Sequence, residues 1–339
     1  MITSARGPTL TRRLALGLVA AFAPFSQALA QRPALSARQA LGPLPQSWRD
    51  AEVIDLWSGP VPGEGFEAQP LAADFPPGFF RNVARPTLHV FRPQVSNGAA
   101  VLVIPGGAYT FLVRTHEGAE TAEALAALGY TVFVLIHRLP GEGWTGRSDV
   151  PLQDAQRAVR VIRANAARFE VRPDHVAVLG YSAGGHLAAT LATGYGEIVH
   201  APRDAVDALS ARPDAAALIY PVITLDPAQT NPQTALSLLG PDPAPEAIVR
   251  RSPDHQVSAT TPPVFLVHAL DDEAVPPENS LLMLAALRRA GVPAEAHLVE
   301  EGGHGFGLGP VNAPAGQWLG LMHAWLTRSL AGAAARTAP

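Results

Sequence analysis

Apolar residues recur along this chain in two rhythms. Short continuous runs bounded by Pro, Gly or charge have the length and composition of buried strands: Thr87 to Phe91, Ala99 to Ile104, Thr131 to Ile136, His175 to Leu179, Ala215 to Ile219, Val264 to His268 and Ala294 to Val299. Between them lie stretches with helical spacing, Gly118 to Leu128, Ala183 to Ala192, Ser280 to Ala290 and Gln317 to Leu330. The clearest helix carries Leu152, Ala155, Val159, Ile162, Ala166 and Phe169 at steps of three and four; Pro151 opens it and Arg172-Pro173 stops it. Uninterrupted apolar strands alternating with helices predict an α/β domain over residues 86–330, built on a mostly parallel sheet with helices on both faces.

The remaining segments read differently. Residues 31–85 are rich in Pro and Gly and predict an irregular lead-in; the proline-rich stretch 225–261 predicts an excursion near the functional site; residues 331–339 predict a flexible tail. The first thirty residues carry Arg6, Arg12 and Arg13, no acid, an apolar run from Leu14 to Phe25, and Ala28-Leu29-Ala30. That is the layout of a signal peptide cut near Ala30, and Arg12-Arg13 is also compatible with twin-arginine export. The expected location is periplasmic or secreted. The run is too short to make a membrane span expected.

Composition narrows the chemistry. The chain has 339 residues, 47% of them hydrophobic and 16% charged, with no Cys, and its 25 basic residues are all Arg. Thiol nucleophiles, Cys-ligated metals, Schiff-base lysines, Ser-Lys dyads and phosphate-binding P-loops are thereby excluded. A net charge of −4 supplies no basic field for nucleic acid. No group of His, Asp and Glu has the spacing of a metal site, so neither a metal nor another cofactor is expected.

What remains is Ser chemistry. Gly180-Tyr181-Ser182-Ala183-Gly184 follows a predicted strand and opens a predicted helix, the arrangement of a nucleophile elbow, in which a tight turn pushes Ser182 above the sheet. The partners of such a serine follow in the order acid, then His. Asp272 stands just after the strand that begins at Val264, with Asp271 as its competitor. His304 sits in the glycine-rich loop Gly302 to Gly307, whereas His297 lies in a strand and His323 in the last helix. Ser182, Asp272 and His304 are therefore the expected catalytic residues. The expected oxyanion donors are the amides of Gly106, Gly107 and Ala183, since Pro105-Gly106-Gly107-Ala108-Tyr109 follows a strand where esterases carry their oxyanion loop.

Together with Leu56-Trp57-Ser58-Gly59, His116-Glu117-Gly118, the helix start Pro151 to Ala158, Tyr220-Pro221-Val222 and the His304 loop, these motifs resemble the α/β-hydrolase superfamily. The closer resemblance is to its acetyl and feruloyl esterases, the xylan and xylanase-associated carbohydrate esterases. It spans Ile54 to Leu330. It implies a serine esterase that acts through an acyl-enzyme on a small-molecule or oligosaccharide ester such as acetylated xylan. Ala108, Tyr109 and Tyr181 would be its substrate contacts. Ala108 replaces the glycine usual in that family, and His137-Arg138 replaces the usual Tyr-Arg. The rival readings within the fold are a general short-chain carboxylesterase and a prolyl-oligopeptidase-type peptidase, the latter disfavoured because residues 31–85 cannot form its large extra domain. His116-Glu117 either orients the oxyanion loop or caps the next helix, Asp154 and Arg157 read as helix-surface or interhelix ion-pair residues, and His186 reads as a packing residue behind the site.

Overall fold

A computed structural model describes Met1 and residues 42–337; the expected leader beyond Met1, residues 2–30, lies outside the described residues. The main sheet has eight strands: β1 Glu52–Asp55, β2 Thr87–Phe91, β3 Ala100–Ile104, β4 Thr131–Ile136, β5 Val176–Tyr181, β6 Ala215–Ile219, β7 Val264–Ala269 and β8 Ala294–Val299. Their order across the sheet is β1-β2-β4-β3-β5-β6-β7-β8. Only β2 runs against its neighbours; every other pairing is parallel. The helices are α1 Gln46–Asp50, α2 Glu120–Ala127, α3 Val150–Ala164, α4 Ser182–Gly194, α5 Pro232–Leu239, α6 Pro245–Arg250, α7 Pro253–Gln256, α8 Glu278–Arg289 and α9 Trp318–Thr337. Among the described residues no helix is long and apolar enough to cross a membrane.

The period-two geometry of a strand explains why the central runs are apolar throughout. Ala100, Leu102 and Ile104 of β3 join one core with Leu152, Val159 and Ile162 of α3 and Leu187 of α4. Val101 and Val103 join the opposite core with Leu125 of α2 and Trp318, Met322 and Trp325 of α9. Each face is covered, so both sets must be hydrophobic.

Three expectations need correction. The lead-in contains β1, which the sequence hides because its four residues alternate between partly buried and exposed at a sheet edge, leaving no apolar run. The helix expected to reach Phe169 stops at Ala164, and Phe169 packs from a separate 3-10 turn, Ala167–Phe169. The expected flexible tail is instead helical as far as Thr337, where the Ala-rich sequence prolongs α9. The excursion 225–261 holds α5, α6 and α7, and Pro232, Pro245 and Pro253 each occupy a first helical turn, where a missing N–H costs nothing.

Asp154 is also placed differently from expectation. It pairs with Arg138 at 2.8 Å, with both side chains fully buried, and further accepts from the Arg138 backbone N–H and from Trp57 Nε1. Arg138 also donates to the Pro62 carbonyl and to Gln153, so one ion pair fastens the lead-in, the loop after β4 and α3. Arg157 turns instead to Asp204 and Asp207. Removing one member of a buried pair strands the other charge, so Asp154→Ala is expected to cost about 3–5 kcal/mol in urea unfolding. Arg85→Ala, which breaks the exposed pair with Asp55, is expected to cost less than about 1 kcal/mol in the same measurement.

Candidate active site

The site forms where the C-terminal ends of β3, β5 and β7 and the loop after β8 meet. Ser182 is the first residue of α4 and has a left-handed backbone, φ +52°. The turn closes because its flanking glycines have no Cβ: one on Gly180 would lie 2.2 Å from the Gly184 carbonyl oxygen, and one on Gly184 would lie 2.2 Å from that of Ile104.

Ser182 Oγ is 2.9 Å from His304 Nε2, and His304 Nδ1 is 2.7 Å from Asp272 Oδ2. Since a carboxylate only accepts, Nδ1 carries the proton, and in the neutral ring Nε2 accepts from the serine hydroxyl. Asp272 is sealed from solvent, while the His304 side chain is 24% exposed. Burial alone would raise the Asp272 carboxyl, but hydrogen bonds from His268 and His304 outweigh it and hold the group well below the usual carboxylate range. Asp271 serves a different purpose: its Oδ1 accepts from the Gly302 and Gly303 amides and steadies the loop that carries His304.

Of the three amides expected to face an oxyanion, Gly106 is otherwise engaged. It donates to Glu117 Oε2 at 2.7 Å, so the expected role passes to Gly107 and Ala183. Glu117 Oε1 accepts from Tyr220 Oη at 2.9 Å, and Tyr220 Oη accepts from the Gly307 amide at 3.0 Å. The buried Glu117 therefore orients the expected oxyanion loop and links it to the loop of His304. This is the first of the two roles open to His116-Glu117.

Of the three expected substrate contacts, one lies at the pocket. Ala108 lines a cavity of about 230 Å³ beside Ser182, with Phe79, Phe111, Val113, Asn231 and Ala274. Tyr109 points inward, its hydroxyl 2.9 Å from His186 Nδ1, because the left-handed backbone at φ +56° turns the side chain away from the cavity. Tyr181 precedes the elbow on a strand and faces the opposite core, where its hydroxyl meets Thr121 Oγ1 at 2.8 Å. Both are corrections to the sequence expectation. Phe79 and Phe111 stack at 4.2 Å to make the apolar wall, and Asn231 brings the 225–261 excursion to the cavity. Sequence inspection misses Phe79 because it lies in the irregular lead-in.

His186 Nε2 is 2.7 Å from the Arg251 carbonyl, so it donates there and Nδ1 accepts from Tyr109. Burial is the main cause of its pKa falling to about 4.

Strand order, elbow and the serine–histidine–aspartate relay define an α/β hydrolase. The family described as BD-FAE matches residues 88–287, more than half of the chain. An acetylxylan esterase from Xylanibacter ruminicola is 31% identical over 65% of this chain, and endo-1,4-beta-xylanase B from Butyrivibrio fibrisolvens is 35% identical over 60%. The matched regions amount to only 43% and 32% of those relatives. A solved acetyl ester-xyloside bifunctional hydrolase from Caldicellulosiruptor lactoaceticus superposes with a TM-score of 0.70 at 32% identity, covering 82% of this chain and 96% of that one. The chain belongs to the BD-FAE family, and its α/β domain is that of a carboxylic ester hydrolase.

The buried imidazole of His186 has a consequence for stability. With a pKa of about 4 when folded, against 6.5 ordinarily, it refuses a proton that the unfolded chain accepts. Its contribution is complete above about pH 6.5 and is lost as pH falls toward 4, by roughly 3 kcal/mol. Urea unfolding across that window is expected to show falling stability, with a shallower slope in His186→Phe.

Proposed function

We propose that the protein is an exported serine esterase that removes short acyl groups, acetate foremost, from carbohydrate hydroxyls such as those of acetylated xylan or its oligosaccharides. The observation that carries this reading is the hydrogen-bonded relay of Ser182, His304 and Asp272 opening on a small, largely apolar cavity. The named esterase relatives support the substrate class, and the basic and apolar leader of residues 1–30 supports export.

His304 takes the Ser182 proton as Oγ attacks the ester carbonyl, and Asp272 stabilises the imidazolium that results. The oxyanion develops against the Gly107 and Ala183 amides, at the N-terminal end of α4 where the helix dipole adds to them. His304 returns the proton to the departing sugar hydroxyl, leaving an acyl group on Ser182. Water, deprotonated by the same histidine, then releases the acid. Phe79, Phe111 and Val113 would enclose the acyl group, and the Ala108 methyl narrows the space beside it.

Ser182→Ala is expected to lower turnover by on the order of a million-fold. The parent should prefer p-nitrophenyl acetate to the octanoate and should release acetate from acetylated xylan. Retained activity in Ser182→Ala would move the nucleophile elsewhere, and octanoate preference without release from xylan would overturn the carbohydrate assignment. Phe111→Ala should raise the octanoate-to-acetate ratio of kcat/KM by opening the pocket wall.

A further inference from the structure

β7 ends near a histidine that the proposed relay does not use. His268 is fully buried, and its ring bridges Asp272 and α8. Nδ1 lies 2.7 Å from Ser280 Oγ; Nε2 lies 3.2 Å from Asp272 Oδ2 and 3.0 Å from the Val275 carbonyl oxygen. Both neighbours of Nε2 are pure acceptors, so Nε2 carries a proton and donates to them. The Ser280 hydroxyl can complement Nδ1 as donor or acceptor.

The consequence falls on the carboxylate. Asp272 Oδ1 accepts from the Ala274 and Val275 amides, each at 2.9 Å, and Oδ2 accepts from both imidazoles. A carboxylate has about four acceptor sites, and four donors meet this one. Two amides hold Oδ1 only, which leaves the group free to pivot about that end. The His268 N–H is the contact that fixes Oδ2 without depending on His304, the group Oδ2 must orient.

We propose that His268 is a positioning residue for the reaction, holding Asp272 ionised and turned so that Oδ2 meets His304 Nδ1. This rests on the triad reading above. It extends that relay into an unbroken hydrogen-bonded chain, Ser182, His304, Asp272, His268 and Ser280, anchored at its far end in α8.

Two variants separate the donor from the volume it fills. His268→Gln places an amide N–H near the position of Nε2; His268→Asn places one near Nδ1, facing Ser280 and short of Asp272. In His268→Asn, kcat for p-nitrophenyl acetate is expected to fall roughly 10- to 100-fold with KM nearly unchanged, the penalty of a misoriented catalytic group. His268→Gln should stay within several-fold of the parent. The far-downfield proton resonance of the His304–Asp272 hydrogen bond should persist in the Gln variant and shift or vanish in the Asn variant. Parent-like turnover in folded His268→Asn would overturn the proposal. So would an equal loss in both variants, which would assign His268 to packing. Should the Asn variant not fold, the Gln variant decides alone: a folded protein with a loss beyond about 10-fold overturns the role, and near-parent turnover with the resonance intact supports it. Ser182→Ala measured alongside separates the two claims. Activity there removes the triad itself, whereas an inactive Ser182→Ala beside an unaffected His268→Asn removes only the positioning role.

Discussion

The site depends on one close approach of backbone to backbone. α4 begins directly on β5, and its first turn lies against the last carbonyls of β3 because Gly184 has no side chain to hold them apart. That contact puts Ser182 and the loop from Pro105 side by side, so the proposed nucleophile and the proposed oxyanion donors are set by sheet geometry. The constraint is steric and therefore stiff: a Cβ on Gly184 would lie 2.4 Å from the Pro105 carbonyl oxygen as well as 2.2 Å from that of Ile104. Ser182 itself occupies a left-handed conformation that costs roughly 1–2 kcal/mol in a residue with a side chain. The buried helix and the strands on either side hold it there.

Around that junction, each loop is held by a polar side chain, buried for Glu117 and His186 and exposed for Asp271, and these side chains have their partners on other elements. Glu117 grips the Gly106 amide and, through Tyr220, the loop of His304. His186 accepts from the Tyr109 hydroxyl at Nδ1 and donates its Nε2–H to the Arg251 carbonyl. Asp271 fixes Gly302 and Gly303. Buried polar groups with every partner present rigidify a site, while one missing partner makes them costly. The bonds join loops that are far apart in the chain, so the geometry at Ser182 is a property of the whole sheet end.

This explains what could and could not be read from the sequence. The elbow was legible because only glycine fits its flanks, and Asp272 was preferred to Asp271 for its Asp-x-x-Val-Pro spacing. His304 was legible from its loop. Glu117 was legible as one of two open roles, but the partners of His186 and His268 were not, because the groups they bond come from other elements and nothing local marks the pairing. β1 was missed for a different reason, being too short and too exposed to interrupt a Pro- and Gly-rich stretch. The stretch 225–261 was read as an excursion without elements of its own being named, and three of its prolines start short helices, since proline weakens a helix only beyond its first turn. Tyr109 and Tyr181 flank expected site residues, but residue order does not encode which way a side chain leaves a left-handed turn or a two-faced strand.

The oxyanion loop carries a second concentration of strain, and here the physical balance can be followed residue by residue. Gly107, Ala108 and Tyr109 have φ of +130°, +51° and +56° in succession. Glycine tolerates this, but Ala108 and Tyr109 each oppose it by roughly 1–2 kcal/mol. The Tyr109 ring is buried, and its hydroxyl bond to His186 contributes on the order of 1 kcal/mol net, with a larger penalty if His186 were left unpaired. A glycine at position 108 would relieve strain, but it would widen the ensemble available to the loop in the unfolded chain and remove a methyl from the cavity wall. Alanine therefore sacrifices backbone ease for a narrower, less mobile loop. The His186 imidazole offsets part of that strain, because it gives the inward-turned Tyr109 hydroxyl an acceptor in the core.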